Sequence, residues 1–212
     1  MDVGKVSASS HRFTANPVSP STPALTRRAH YLISNVQTIK QTYFQLFDIP
    51  ERFQVDLETL GARYRSLQAE THPDRFANSD EARKLQAVKQ SSLLNQAFET
   101  LKSPLQRAGY LLQLRDCDVE TVSQQDLGMD LLIEQMQLRE ALDDLPMDES
   151  ALPDLDELKK KVAGKLAQRQ QDFAACIDAQ DISGAKKIFH ELQFLFKLHR
   201  EIEAGEEQRL GY

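Results

Sequence analysis

Few residues in this sequence have the types and spacing for chemistry, and the tightest set is His72-Pro73-Asp74. An imidazole and a carboxylate either side of one proline could act as an acid–base dyad, ligate a metal, or present an anion to a partner. Proline fixes its own backbone angle and disfavours helical geometry in the residue before it. His72 and Asp74 are therefore held on either side of a rigid, exposed bend. A carboxylate offered in this way can accept a charge-assisted hydrogen bond from a partner's arginine at low entropic cost. The dyad lacks a second base or nucleophile, because His11, His30, His190 and His199 fall near the amino terminus or in the distant carboxy-terminal half. Metal binding lacks a second ligand pair. An ordinary turn stays open, since Pro and Asp are common turn residues. The tripeptide alone is weak evidence, expected by chance in about one chain in a hundred of this length.

The elements around the tripeptide raise its value. Tyr43-Phe44-Gln45-Leu46-Phe47 is a short apolar cluster closed by Pro50, long enough for one or two helical turns. Asp56 is placed as an N-cap, with Thr59 where a capping box would carry Glu. Leu57, Leu60, Tyr64 and Leu67 follow at helical spacing and predict one apolar stripe, ending near Thr71. A loop from Pro73 to Ser79 leads to Asp80-Glu81 and a long helix carrying Leu85, Val88, Leu94, Phe98 and Leu101. Lys102-Ser103-Pro104 breaks it, and Arg107 to Leu112 forms a last short helix. Two antiparallel helices with a bend between them cannot bury both stripes alone, so the short flanking helices must complete the core.

Residues 115–125 are polar and read as a hinge. Helices are expected over about 126–146, 154–179 and 182–206, with Asp154 and Asp181 as caps. The second carries Leu155, Leu158, Val162, Leu166, Phe173 and Ile177; the third carries Ile182, Ala185, Phe189, Leu192, Phe196 and His199. Short connections make antiparallel neighbours, hence a three-helix bundle. On its first helix Leu131, Leu138, Leu142 and Leu145 form a core stripe. Leu132 and Met136 point to one side of it, with Ile133 nearby and Glu140 one turn on. Phe194, on the last helix, is an apolar island among His190, Glu191, Lys197 and Glu201. Eleven acids and one base, Arg139, lie within residues 126–157. Should Phe194 pack beside Leu132 and Met136, the result is an acid-rimmed apolar patch of the kind that binds protein. The same residues could equally finish the bundle core, and the acids could be a solvated face.

Composition sets the outer bounds. The 212 residues have room for one or two cores, and no apolar run is long enough to span a membrane. Residues 1–41 carry a net charge of +4, leaving −10 of the overall −6 balance to the remainder, which argues against nucleic acid as a partner. This leader is rich in Ser, Thr, Ala and Pro and reads as disordered or weakly helical; nearly free of acids, it also has the character of a mitochondrial transit peptide. Cys117 and Cys176 fit neither a metal knuckle nor a stapled secreted domain, and suit a reduced compartment as small apolar residues. No cofactor, metal site or enzyme signature is expected.

Taken together, Tyr43 to Phe47, Tyr64 to Gln68, His72 to Phe76 and Leu94 to Leu101 resemble a J-domain. Pro104, Arg107-Ala108 and Tyr110-Leu111-Leu112, with Glu134-Gln135 and Leu138-Arg139-Glu140 downstream, are more particular: they resemble the HscB family, J-type co-chaperones of iron–sulfur cluster assembly. The resemblance covers about residues 42–210. It implies an all-α fold with a J-domain (42–114), an antiparallel helical hairpin with short flanking helices, followed by a carboxy-terminal three-helix bundle (126–212). It implies two partners, an HscA/DnaK-class ATP-driven chaperone and an IscU-type scaffold protein, and a monomer. His72, Pro73 and Asp74, supported by Tyr64, Arg65 and Arg75, would meet the chaperone. Leu132, Ile133, Met136, Glu140 and Phe194 would meet the scaffold. The location implied is the bacterial cytoplasm, or the mitochondrial matrix if the leader is a transit peptide. One departure stands out: Gly61, Ser66 and Glu70 lie where many J-domains are strongly basic, which suits a dedicated chaperone rather than any of the class.

Overall fold

Three helix-capping aspartates and one proline set the boundaries of most of the fold. The structure is a computed structural model and describes residues 41–76, 79–119 and 128–211. The leader, and the hinge beyond Val119, lie outside these residues. Helix α1 (Tyr43–Phe47) opens with a full capping box between Thr42 and Gln45. Its ring Tyr43 stacks on Tyr110 at 4.4 Å, and the Tyr43 backbone N–H donates to the Tyr110 hydroxyl at 2.9 Å.

Helix α2 (Leu57–Thr71) begins at Asp56, whose carboxylate accepts from the Glu58 N–H and the Thr59 hydroxyl. Thr59 thus braces the cap itself instead of reaching back to the cap's backbone. Helix α3 (Glu81–Lys102) starts on Asp80, which accepts from the Arg83 N–H at 2.8 Å. Ser103 ends α3 and caps α4 (Pro104–Gln113), with Pro104 at the first helical position, where its missing N–H costs nothing.

The carboxy-terminal part contains α5 (Met129–Asp143), α6 (Leu152–Asp178) and α7 (Ile182–Arg209), the last capped by Asp181 through the Gly184 N–H. Asp154 is not a cap. A 3-10 turn over Glu149–Ala151, capped by Asp148, feeds straight into α6 at Leu152, so the chain turns helical before Asp154 is reached. Among the described residues the fold is all-α.

The α6 stripe is buried as expected, from Leu155 to Ile177; on α7 Ala185, Phe189 and Leu192 are buried, but Ile182, Phe196 and His199 are only half-buried and Leu195, Leu198 and Ile202 take the core positions beyond Leu192. In the hairpin the expectation holds only in part. Leu60, Leu94 and Leu101 are buried, but Leu57, Leu85 and Val88 lie exposed. Tyr64 on α2 bonds to Asn95 on α3, which fixes the antiparallel register. Residue 71, the end of α2, is then level with residue 88. The first turns of the 22-residue α3 overhang the 15-residue α2 and face only the turn after it.

One hydrophobic cluster runs without a break from Phe44 and Leu101 through Leu111 to Phe189 and Ile202. Phe53 packs edge-on against Phe173 at 4.9 Å. The buried Arg107 guanidinium lies 5.1 Å from the Phe53 ring and donates to the Leu101 carbonyl. At Gly109 a Cβ would meet Phe189 at 3.3 Å, so α4 and α7 approach too closely there for a larger side chain without a shift.

Candidate functional site

The His72 bend is fastened from both ends. Thr71 Oγ1 donates to the Leu67 carbonyl at 2.8 Å and closes α2; the Arg75 guanidinium reaches back to the Ala69 carbonyl at 3.1 Å. Pro73–Phe76 is a 3-10 turn rather than an open loop, since proline at its first position is pre-set for helical geometry. The Arg75 N–H bonds to the His72 carbonyl at 3.1 Å, and Ser79 N–H to that of Phe76 at 2.9 Å.

Within the bend the Asp74 N–H donates to His72 Nδ1 at 3.3 Å, and the Asp74 carboxylate lies 3.5 Å from the same nitrogen. The Asp74 side chain is 90% exposed and His72 51%, so both are open to a partner. Among the described residues no three or more His, Cys, Asp or Glu side chains gather as a metal site.

The supporting residues divide. Arg75 and Tyr64 act on the protein itself. The Tyr64 hydroxyl donates to Asn95 and accepts from Gln68, both at 2.9 Å, and its ring stacks on Phe98 at 4.2 Å. Arg65 is exposed on α2, its guanidinium close over Gly61.

On α5, Ile133 and Met136 are exposed, Leu132 is half-buried and Glu140 faces solvent. Met129, 71% exposed, extends this strip by one turn. Sequence reasoning passed over it, although the spacing 129, 132, 133, 136 is the same helical period carried back one step. Among the described residues of α5 Leu138 is the one that is fully buried; Leu142, and Leu145 just beyond the helix, are partly covered.

Phe194 is half-buried against the core. It lines a cleft of about 120 Å³ between α5, α6 and α7, together with Leu131, Gln135, Leu138 and Leu195. Leu132 and Met136 are not among the residues that line this cleft. The cleft is rimmed by the ion pairs Lys165–Glu134 and Arg169–Glu191. These α6 contributions were not foreseen, because only tertiary packing brings them to α5. Burial pushes the Glu191 carboxyl up, against the pull of Arg169. Arg169, despite its own burial, is held above its usual value by Asp172 and Glu191. A second pair, Arg139–Glu201, ties α5 to α7.

Residues 127–203 match the family described as the HSCB C-terminal oligomerisation domain. Among solved structures the chain is similar to the chaperone HscB from Vibrio cholerae, at 32% identity and a TM-score of 0.72, covering 79% of this chain and 99% of that one. It is similar to human co-chaperone protein HscB at 28% identity and TM-score 0.73, covering 79% and 83% of the two chains. It is also similar to the Jac1 co-chaperone from Saccharomyces cerevisiae at 27% identity and TM-score 0.61, covering 79% and 95%.

Proposed function

The chain belongs to the HscB family of J-type co-chaperones of iron–sulfur cluster assembly, and from that premise we propose that it stimulates the ATPase of an HscA/DnaK-class chaperone and delivers an IscU-type scaffold protein to it. The observation that carries the first half is the fastened bend. An open carboxylate and imidazole, braced by Arg75 and Thr71, can meet a cationic partner surface without first being ordered. Pro73 fixes the backbone that brings the two groups together; Tyr64 keeps α2 and α3 in register beneath them; Arg65 is exposed toward a partner. The protein acts by binding, as activator rather than enzyme.

The strip of Leu132, Ile133 and Met136, with Glu140 at its edge and Phe194 in the cleft against α5, supports the second half. An exposed apolar strip rimmed with carboxylates fits a client with an apolar centre and a basic margin. We take the acting form to be a monomer, without membrane or nucleic acid, in the bacterial cytoplasm or, if residues 1–41 are a transit peptide, the mitochondrial matrix. Among the described residues no helix is long and apolar enough to cross a membrane.

The test is single-turnover ATP hydrolysis by the HscA-like chaperone of the same organism. The wild-type chain should accelerate it, and His72→Gln should abolish the acceleration while scaffold affinity, read by calorimetry, stays the same. Loss of both activities in a folded His72→Gln chain would overturn the division of labour between the two ends.

A further inference from the structure

Helix α5 is secured at one end and lightly held at the other. Toward its carboxy terminus Leu138 is fully buried, Arg139 pairs with Glu201 of α7, and Leu142 and Leu145 pack partly against the core. Just beyond the helix, the buried Arg209 guanidinium donates to the Pro146 carbonyl at 2.8 Å and to the Leu145 carbonyl at 3.4 Å. It also donates to Gly205 of its own helix at 2.9 Å, so the exit of α5 is fastened to the end of α7.

The amino-terminal half, Met129 to Gln137, has little of this. Its cap, Gly128, has no side chain to accept from the free N–H groups of the first turn. Among its described residues none is fully buried, and Met129, Ile133 and Met136 face solvent. Beneath Leu131, Glu134 and Gln135 lies the cleft, where atoms lining a gap lose the dispersion contacts that a filled core supplies. Across it runs the Lys165–Glu134 pair, whose side chains are 33% and 35% exposed. Arg169, on the same rim, is bonded to Asp172 and Glu191 instead. Glu134 is also repelled across the cleft. Burial pushes the Glu191 carboxyl up, and the charge of Glu134 adds to this against the pull of Arg169. Few buried apolar contacts and one exposed ion pair describe an element that opens well before the whole chain unfolds.

We propose that the first half of α5 is a flap, which unwinds from the cleft and re-forms over it while the second half stays seated, with the Lys165–Glu134 pair as its latch. Such a flap needs no partner and does not depend on the co-chaperone reading. The seat of α4 on α7 takes no part in it. Opening uncovers the apolar floor of Leu138, Phe194 and Leu195 and carries Leu132, Ile133 and Met136 away. One motion therefore exchanges an outer apolar strip for an inner apolar floor. A partner seated on the strip holds the flap shut, and one that reaches the floor holds it open.

The experiment is native-state hydrogen exchange of the full chain, read amide by amide. In the wild type, residues 133–137 should exchange at least about tenfold faster than residues 139–143 and than residues 158–174 of α6. Lys165→Gln should speed 133–137 a further threefold or so, the loss of one exposed ion pair, and leave the other amides within about twofold. Lys165→Arg, which keeps the charge, should hold the wild-type rate. Arg139→Gln, at the seated end, should disturb 133–137 less than Lys165→Gln does. The control is Lys160→Gln, which breaks a 2.7 Å pair with Asp156 inside α6 and should leave 133–137 alone. Equal protection along the whole of α5 overturns the flap. Fast exchange at 133–137 that is the same in Lys165→Gln and Lys160→Gln is plain end fraying and overturns the latch. Faster exchange throughout the Lys165→Gln chain overturns it too, since the pair would then support the fold as a whole.

Discussion

The His72 bend and the α5 strip are both exposed sites, but they are made in opposite ways. The bend is local: every bond that fastens it runs between residues 67 and 79. The strip is presented by a helix that, among its described residues, buries only Leu138 fully and is tied to its neighbours by Lys165–Glu134 and Arg139–Glu201. A charged trigger can be built from a dozen consecutive residues because hydrogen bonds are directional and short-ranged. An apolar docking surface needs a helix placed correctly by the rest of the fold.

That contrast can be broken or sharpened by measurement. The largest effect is expected where binding depends on apolar side chains: Leu132→Ala with Met136→Ala and Phe194→Ala should weaken scaffold binding at least about tenfold by calorimetry. Chaperone stimulation measured without scaffold should not change, and unchanged scaffold affinity would remove these residues from the site. Next, Arg75→Ala frees the bend from the Ala69 carbonyl. Stimulation should fall severalfold, and Arg75→Lys should recover only part, since a lysine cannot reproduce the guanidinium geometry. Full activity in Arg75→Ala would mean that the bend needs no fastening.

Smaller effects concern stability. Tyr64→Phe removes a hydroxyl that makes two hydrogen bonds and should cost about 1 kcal/mol in chemical denaturation, with stimulation at saturating concentration retained. The smallest is a pH effect at Glu191. Burial raises this carboxyl in the folded state, so folding favours its protonated form. That contribution is present below the ordinary glutamate range and is lost as pH rises through the raised folded value. Glu191→Gln cannot ionise. Its melting temperature relative to wild type should therefore improve as pH goes from about 4 to about 7, and a difference that stays flat would show that Arg169 fully compensates the burial.

What could be read from the sequence follows the same divide. Asp56, Asp80 and Asp181 were legible as caps, and Ser103-Pro104 as a break, because capping chemistry acts within three residues. The buried stripe of α6, and Ala185, Phe189 and Leu192 on α7, were legible because each helix has a partner along its length. Leu57, Leu85 and Val88 misled because periodicity reports which face is apolar and not whether anything covers it. At Val88 the shorter α2 has already ended, while Leu85, nine residues before buried Leu94, lies on the opposite face of α3. Asp154 misled for a local reason, as Asp148 started the chain turning before it. Met129 was within reach of the same spacing rule that found Leu132 and Met136. Lys165 and Arg169 were not, being more than twenty residues from α5 in sequence and adjacent only after folding.

The contact between Gly109 and Phe189 has a consequence for how two partners would be brought together. With α4 seated on α7 and Arg107 wedged beneath Phe53, the protein is a spacer of set length instead of a tether. A flexible tether searches a volume, so the local concentration it creates falls gradually as it is lengthened. A fixed spacer presents its cargo at one distance and one angle, and a chaperone whose two contact points do not match that geometry gains nothing from it. Selection among chaperones could thus be exercised by the spacing of the sites as well as by their chemistry. A side chain larger than hydrogen at residue 109 would press on the Phe189 ring at this junction without touching either surface.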